Sequence, residues 1–306
     1  MLKDKILNKE SGLVFYSLTP PKINNDMEKI HAIAQKQLSM LSKANIDGLI
    51  LYDIQDETDR TDAERPFAFI STVQPDRYAK EFLNELNVPK IVYKSIANSN
   101  EDDFNTWLKN NSDLEFSVFV GASSQQQVLK NNFSLSDAYR LRKENFDSLI
   151  LGGVTIPERH VKSADEHLRI FKKVQNGCSF FVSQCVYSPN NAKNLLSDYF
   201  YASMESEIEL SPMIFTLAPC GSLKTLKFME WLGIEVPKWL YNDLKHSNNI
   251  LDKSVNVCKN IAFEMIEYAQ AKNIPFGFNI ESVSIKKEEI EASELLLNEV
   301  LSLLKK

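Results

Sequence analysis

A glycine-rich phosphate loop is missing from this sequence. Its 306 residues hold nine glycines, and neither GxGxxG nor GxxxxGK[ST] occurs, which excludes a Rossmann dinucleotide unit and a P-loop. Cysteine is equally scarce. Cys178, Cys185, Cys220 and Cys258 form no CxxC pair and no zinc spacing, so reduced thiols and no metal site are expected. No dense Lys/Arg patch with interleaved aromatics occurs, and the formal charge is −6. Both features argue against nucleic acid as a partner. No run approaches the ~18 apolar residues of a membrane span, and the charged opening MLKDKILNKESG lacks a signal core. A cytoplasmic protein without membrane contact is the expectation.

What is present is a regular alternation. Short β-branched or aromatic runs recur in the order LVFYSL (13–18), GLILYD (48–53), KIVYKS (90–95), FSVFVG (116–121), SLILGG (148–153), FFVSQC (180–185), MIFTLA (213–218) and FGFNIE (276–281). Charged amphipathic stretches lie between them, among them 27–44, 136–145, 165–177, 222–233 and 257–273. Strand and helix in alternation predict a parallel sheet with crossover helices. Eight such units match a closed (β/α)8 TIM barrel of the α/β class, with a doubly wound open sheet as the alternative. Asp165 or Ser163, and Ser222, are suited to cap helices, and Gly177 and Gly233 to end them. Residues 54–80 fit neither a plain strand nor a plain helix, and read as an elaborated loop on the face where barrel active sites sit. One domain spanning 1–306 is the economical reading.

Four fragments resemble the methylenetetrahydrofolate reductase family in matching order. SLTPPK (17–22) is similar to its first-strand motif, LGGVTIPERH (151–160) to its fifth-strand segment ending in Pro-Glu-x-His, KKVQNGCSFFVSQCVY (172–187) to its sixth helix and strand, and IFTLAPCGSLKTLKFMEWLGIEVPKW (214–239) to its penultimate strand, loop and helix. The resemblance implies one-carbon metabolism, a folate substrate and hydride from NAD(P)H. It places Gln184 on the pterin, where an amide supplies both donor and acceptor; a strand-end Gln bonding a loop is the plain alternative. It also places Glu158, His160, Lys172 and Lys173 near a cofactor, although solvated helix side chains would read the same way.

The departures from the family are chemical. Its first-strand glutamate, which helps protonate the substrate, is Ser17 here, and a hydroxyl cannot replace a carboxylic acid. Its fourth-strand Arg-Gly-Asp beside FAD is Val120-Gly121-Ala122. The histidine of its third strand corresponds to Tyr93. FAD is thus expected from the family and unsupported by these residues. The loop after the second strand offers Asp53, Asp56, Glu57 and Asp59 with Arg60 and Arg65, resembling the flavin-independent branch. Glu57 is the first candidate for the acid and Asp53 the second, against a reading as solvated charge. Tyr52, Tyr93, Tyr187 and Phe215 are candidate stacking faces. Two further functions remain open: a folate- or corrinoid-linked methyltransferase module, and a non-catalytic folate-binding paralogue. The apolar run LLLNEVLSLL (295–304) suits a homo-oligomer or partner-subunit contact, or a terminal helix packed on its own barrel.

Overall fold

The computed structural model describes residues 1–58, 61–121 and 132–305. Eight strands, β1 (Leu13–Leu18), β2 (Gly48–Leu51), β3 (Lys90–Ser95), β4 (Phe116–Val120), β5 (Ile150–Thr155), β6 (Cys178–Cys185), β7 (Met213–Leu217) and β8 (Phe276–Glu281), close a parallel barrel in chain order. β8 returns to β1 with Leu13 opposite Gly277 and Ser17 opposite Glu281. The fold is therefore the α/β barrel that the alternation predicts, and the open sheet is excluded by this closure.

Two apolar layers follow from the period of two along each strand. One set of side chains, including Phe15, Ile50, Ile91, Val118, Phe180 and Ile214, fills the barrel interior, and Leu2 and Ile6 of the first helix close its lower end. The alternate set packs outward against the helices. Gly152 is required inside: a Cβ there would lie 2.5 Å from the Phe180 ring. Gly277 is required as well, because a Cβ would lie 2.4 Å from the Leu13 carbonyl oxygen.

The helix ends are chemically legible. Ser222 accepts from the Thr225 backbone N–H, while Gly177 and Gly233 adopt φ of +94° and +84°. Asp165 precedes its helix without making a side-chain cap. The stretch 54–80 divides: residues 54–58 and 61–74 hold no α-helix and no barrel strand, and a helix with Pro at its first turn covers Pro75–Glu81. The terminal helix Lys287–Leu303 buries Leu296, Leu297 and Val300 against its own barrel. Among the described residues, no helix is long and apolar enough to cross a membrane.

Candidate active site

The inward positions turn polar at the carboxyl ends of the strands, the end at which barrel enzymes place their chemistry. Continuing the inward alternation brings Ser17 of β1, Tyr52 just past β2, Tyr93 of β3, Gln184 of β6, Thr216 of β7, and Asn279 and Glu281 of β8 to one mouth. Four of them form a chain of hydrogen bonds. Ser17 Oγ lies 2.6 Å from Asn279 Oδ1 and 3.1 Å from Tyr52 Oη. Asn279 Nδ2 donates to Tyr52 Oη at 3.0 Å and to Thr216 Oγ1 at 3.2 Å. The Glu281 carboxyl neighbours Tyr52 and raises its phenol.

Glu281 is the residue that the sequence reading missed. Burial pushes its carboxyl up to about 7, and the bond from Tyr52 pulls in the opposite direction. A half-buried carboxylate without a cation beside it is costly, so its proton is held to higher pH than on a free glutamate. Burial and the neighbouring Glu281 also raise the Tyr52 phenol well above its ordinary range, which keeps it a donor. Tyr93 stands edge-on to Tyr52 with ring centroids 4.9 Å apart, and burial raises its hydroxyl too.

Gln184 carries the second unusual feature. Its Nε2 donates to the Leu232 carbonyl at 2.7 Å, while its Oε1 is buried with no partner. Buried acceptors are nearly always satisfied in folded proteins, so this oxygen is able to accept from a bound molecule. On the neighbouring side, Glu158 Oε2 is likewise buried and unpartnered, and Oε1 lies 3.5 Å from the Glu235 backbone nitrogen. Burial pushes the Glu158 carboxyl up to about 7.

The other residues named from the sequence lie as follows. Asp53 points away from the mouth: its Oδ2 accepts from the Ser95 backbone N–H at 2.7 Å and its Oδ1 from Gln55 Nε2 at 2.7 Å. Burial raises its carboxyl, but both oxygens are engaged in holding the end of β3. Glu57 sits half-buried in the segment after β2. Phe215 faces the opposite way from its expected role as a stacking face, since Ile214 and Thr216 take the inward positions of β7; its ring packs in the helix layer, 6.0 Å from that of Phe278. Tyr187 is fully buried with its hydroxyl donating to the Ala218 carbonyl at 2.8 Å.

The residues expected near a cofactor lie as follows. Lys173 donates to the Val154 carbonyl from within the β5 wall, and desolvation lowers its ammonium. Lys172 is exposed on the same helix. His160 is buried with Nε2 3.0 Å from Asp198 Oδ2. His167 stands against it, and ligand atoms of His160, His167 and Asp198 lie within 4.8 Å of one another in the helix layer. That cluster was not expected from the sequence, whose reading held no metal site. Val120 turns an apolar side chain against the inner cluster, while Ala122 and Asp59 lie outside the described residues.

The segment after β2 roofs part of the mouth. Trp231 Nε1 donates to the Ala63 carbonyl at 2.9 Å, and the Arg65 guanidinium lies 4.9 Å from the Trp231 ring, 5.4 Å from Phe228 and 5.2 Å from Phe69. Lys22 pairs with Thr72, so residues 61–73 reach from the loop after β1 to the helix after β7.

A closed barrel whose polar mouth holds an amide oxygen without a partner and an acid with a raised titration point is suited to a small molecule. The sequence model for methylenetetrahydrofolate reductase matches residues 123–290, over half of the chain. An uncharacterized protein from Clostridium thermocellum that binds two copies of 5-methyl-5,6,7,8-tetrahydrofolic acid is 46% identical, with 99% of each chain covered and a TM-score of 0.87. A GH113 β-1,4-mannanase (12% identity, 95% of this chain and 98% of that chain, TM-score 0.53) and a tryptophan synthase from M. tuberculosis (11%, 100% and 97%, 0.52) share the fold alone. Curated proteins give no match. The chain belongs to the methylenetetrahydrofolate reductase family.

Proposed function

We propose that this protein reduces 5,10-methylenetetrahydrofolate to 5-methyltetrahydrofolate with hydride from NAD(P)H. The observation that carries the reading is the unpartnered Gln184 Oε1 at the end of β6, in a chain nearly half identical to a protein that binds 5-methyltetrahydrofolate. An amide acceptor of this kind suits a donor on the edge of a pterin ring. The edge-on rings of Tyr52 and Tyr93 and the neighbouring segment 61–73 favour the water-poor surroundings in which an iminium survives long enough to be reduced.

No step of this reading runs through a flavin. The arginine that the family sets beside the isoalloxazine is Val120 here, and Lys173, His160 and Asp53 are each tied to neighbouring protein groups. Direct transfer from a dihydronicotinamide is the route consistent with those residues.

The test is an absorbance spectrum of the purified protein from 300 to 550 nm, followed by addition of NADH or NADPH and methylenetetrahydrofolate. A colourless protein that oxidises the nicotinamide only when folate is present supports direct reduction. Flavin bands near ~370 and ~450 nm would overturn the flavin-free route. Binding of 5-methyltetrahydrofolate without nicotinamide oxidation would favour a folate-binding or methyl-transfer role, a reading encouraged by the two folate copies of the relative.

A further inference from the structure

We propose that Glu281 is the proton donor of the reaction, an acid carried on β8 in place of the one missing from β1. The proposal rests on the reductase reading above.

Ser17 and Glu281 are register partners across the seam where the barrel closes. Adjacent strands lie about 4.8 Å apart, so a glutamate side chain on β8 reaches the space that an acid on β1 would occupy. Ser17 leaves that space open, for its short side chain is held against Asn279 at 2.6 Å. Asn279 donates to Tyr52, and the Tyr52 hydroxyl acts on the neighbouring Glu281 carboxyl in the direction of the ionised form. No lysine or arginine among the described residues contributes to holding the carboxyl ionised. Gln184, on β6, lies two strands away from β8, or about 10 Å along the wall. That span is of the order of the length of the fused ring system, so a pterin edge on Gln184 directs the N10 side toward Glu281.

The step balances as follows. Glu281 transfers its proton to N10, and the bond from N10 to the methylene carbon breaks with its electron pair on N10. The methylene carbon is left in an iminium with N5. Hydride from C4 of the dihydronicotinamide adds to that carbon, giving the N5-methyl group and the oxidised nicotinamide. Solvent returns a proton to Glu281.

Glu281→Gln keeps shape and removes the proton, and its expected kcat is ~10²–10⁴-fold below wild type. Affinity for 5-methyltetrahydrofolate, measured by calorimetry, should stay within about threefold, because the product already carries its N10 proton. The double variant Ser17→Glu/Glu281→Gln, which puts the acid back on β1, should regain at least about tenfold of the lost rate. Ring opening can also be followed without hydride, as protein-catalysed exchange of labelled formaldehyde with methylenetetrahydrofolate by carbon-13 NMR. If wild type oxidises no nicotinamide, the reductase reading fails, yet exchange that Glu281→Gln abolishes still supports the acid. A Glu281→Gln protein with wild-type kcat, or exchange that is absent in wild type or unchanged in the variant, overturns the proposal.

Discussion

Asn279 Nδ2 donates to the phenolic oxygen of Tyr52 at 3.0 Å, joining two residues 227 positions apart. With its oxygen occupied as an acceptor, the phenol has one hydrogen to give, and the neighbouring Glu281 carboxyl is the group it acts on. The amide oxygen of the same asparagine accepts from Ser17 at 2.6 Å. A polar cluster that is nearly self-satisfied thus surrounds a single titrating group. Such clusters hold their members in place because leaving any buried donor unpaired costs about 1–3 kcal/mol.

Tyr52→Phe removes the bond that favours the ionised form of Glu281 while keeping the ring against Tyr93. The carboxyl should then hold its proton more tightly. A hydrogen bond to a charged group contributes ~1.5–3 kcal/mol, equivalent to an upward shift of about 1–2 pH units. Carbon-13 NMR of glutamate-labelled protein across pH 5–10 follows the resonance directly. An unmoved midpoint would mean that Tyr52 does not donate to Glu281.

Gln184→Met is close in shape and lacks both polar atoms. Binding of 5-methyltetrahydrofolate should weaken about 10–100-fold, in line with the loss of a buried bond to a ligand edge. Stability should fall by only about 1 kcal/mol, from the bond to the Leu232 carbonyl. Titration calorimetry and denaturant melts separate the two quantities. Unchanged affinity together with the stability loss would assign Gln184 solely to pinning the loop at Leu232.

The barrel was legible because strand and helix periods differ, and β1, β3 and β8 fall on the residues that alternation predicts. β5 was displaced by two positions since Gly152 and Gly153 resemble a strand end; they lie inside the strand because Phe180 and Phe181 occupy the space beside them. The site's geometry was legible in part. The motif puts Gln184 at the end of a strand, where it lies on β6, whereas the pairing of Ser17 with Glu281 exists only through barrel closure. Gly277, Asn279 and Glu281 do alternate inward along β8, and that polar alternation was the available signal. The same test applied to β7 would have turned Phe215 outward, beside inward Ile214 and Thr216. The roles expected of Lys173 and Asp53 could not be judged from charge alone, since each meets a backbone group supplied by another strand.

Glu158 yields a stability prediction whose sign can be worked out. Its native carboxyl titrates at about 7 against an ordinary 4.5. Between those values the native state binds more protons than the unfolded chain, so this group's contribution falls as pH rises through the window and stays low above it. Glu158→Gln abolishes that dependence. The variant should therefore gain ~1–3 kcal/mol relative to wild type on going from pH 4.5 to pH 8, read from urea melts at both pH values. A gain at low pH instead would show that the carboxyl is ionised in the native protein.

Arg65 tests the roof over the mouth. Its guanidinium lies within 5.4 Å of the Trp231, Phe228 and Phe69 ring centroids, and its Nε and Nη1 are buried without partners. Cation–π contacts contribute ~0.5–1 kcal/mol each when partly exposed and more when desolvated. Arg65→Met keeps an apolar stem among the rings and removes the charge. The segment 61–73 should then exchange its amide hydrogens several-fold faster, while the strands, held by the barrel core, exchange as before. A roof that opens more often admits water to the mouth, so the Michaelis constant for folate should rise before the overall stability changes appreciably. Hydrogen-exchange mass spectrometry on this segment, with folate titrations on the same preparation, checks both halves. Faster exchange with an unaltered Michaelis constant would show that the segment packs on the helix after β7 without guarding the site.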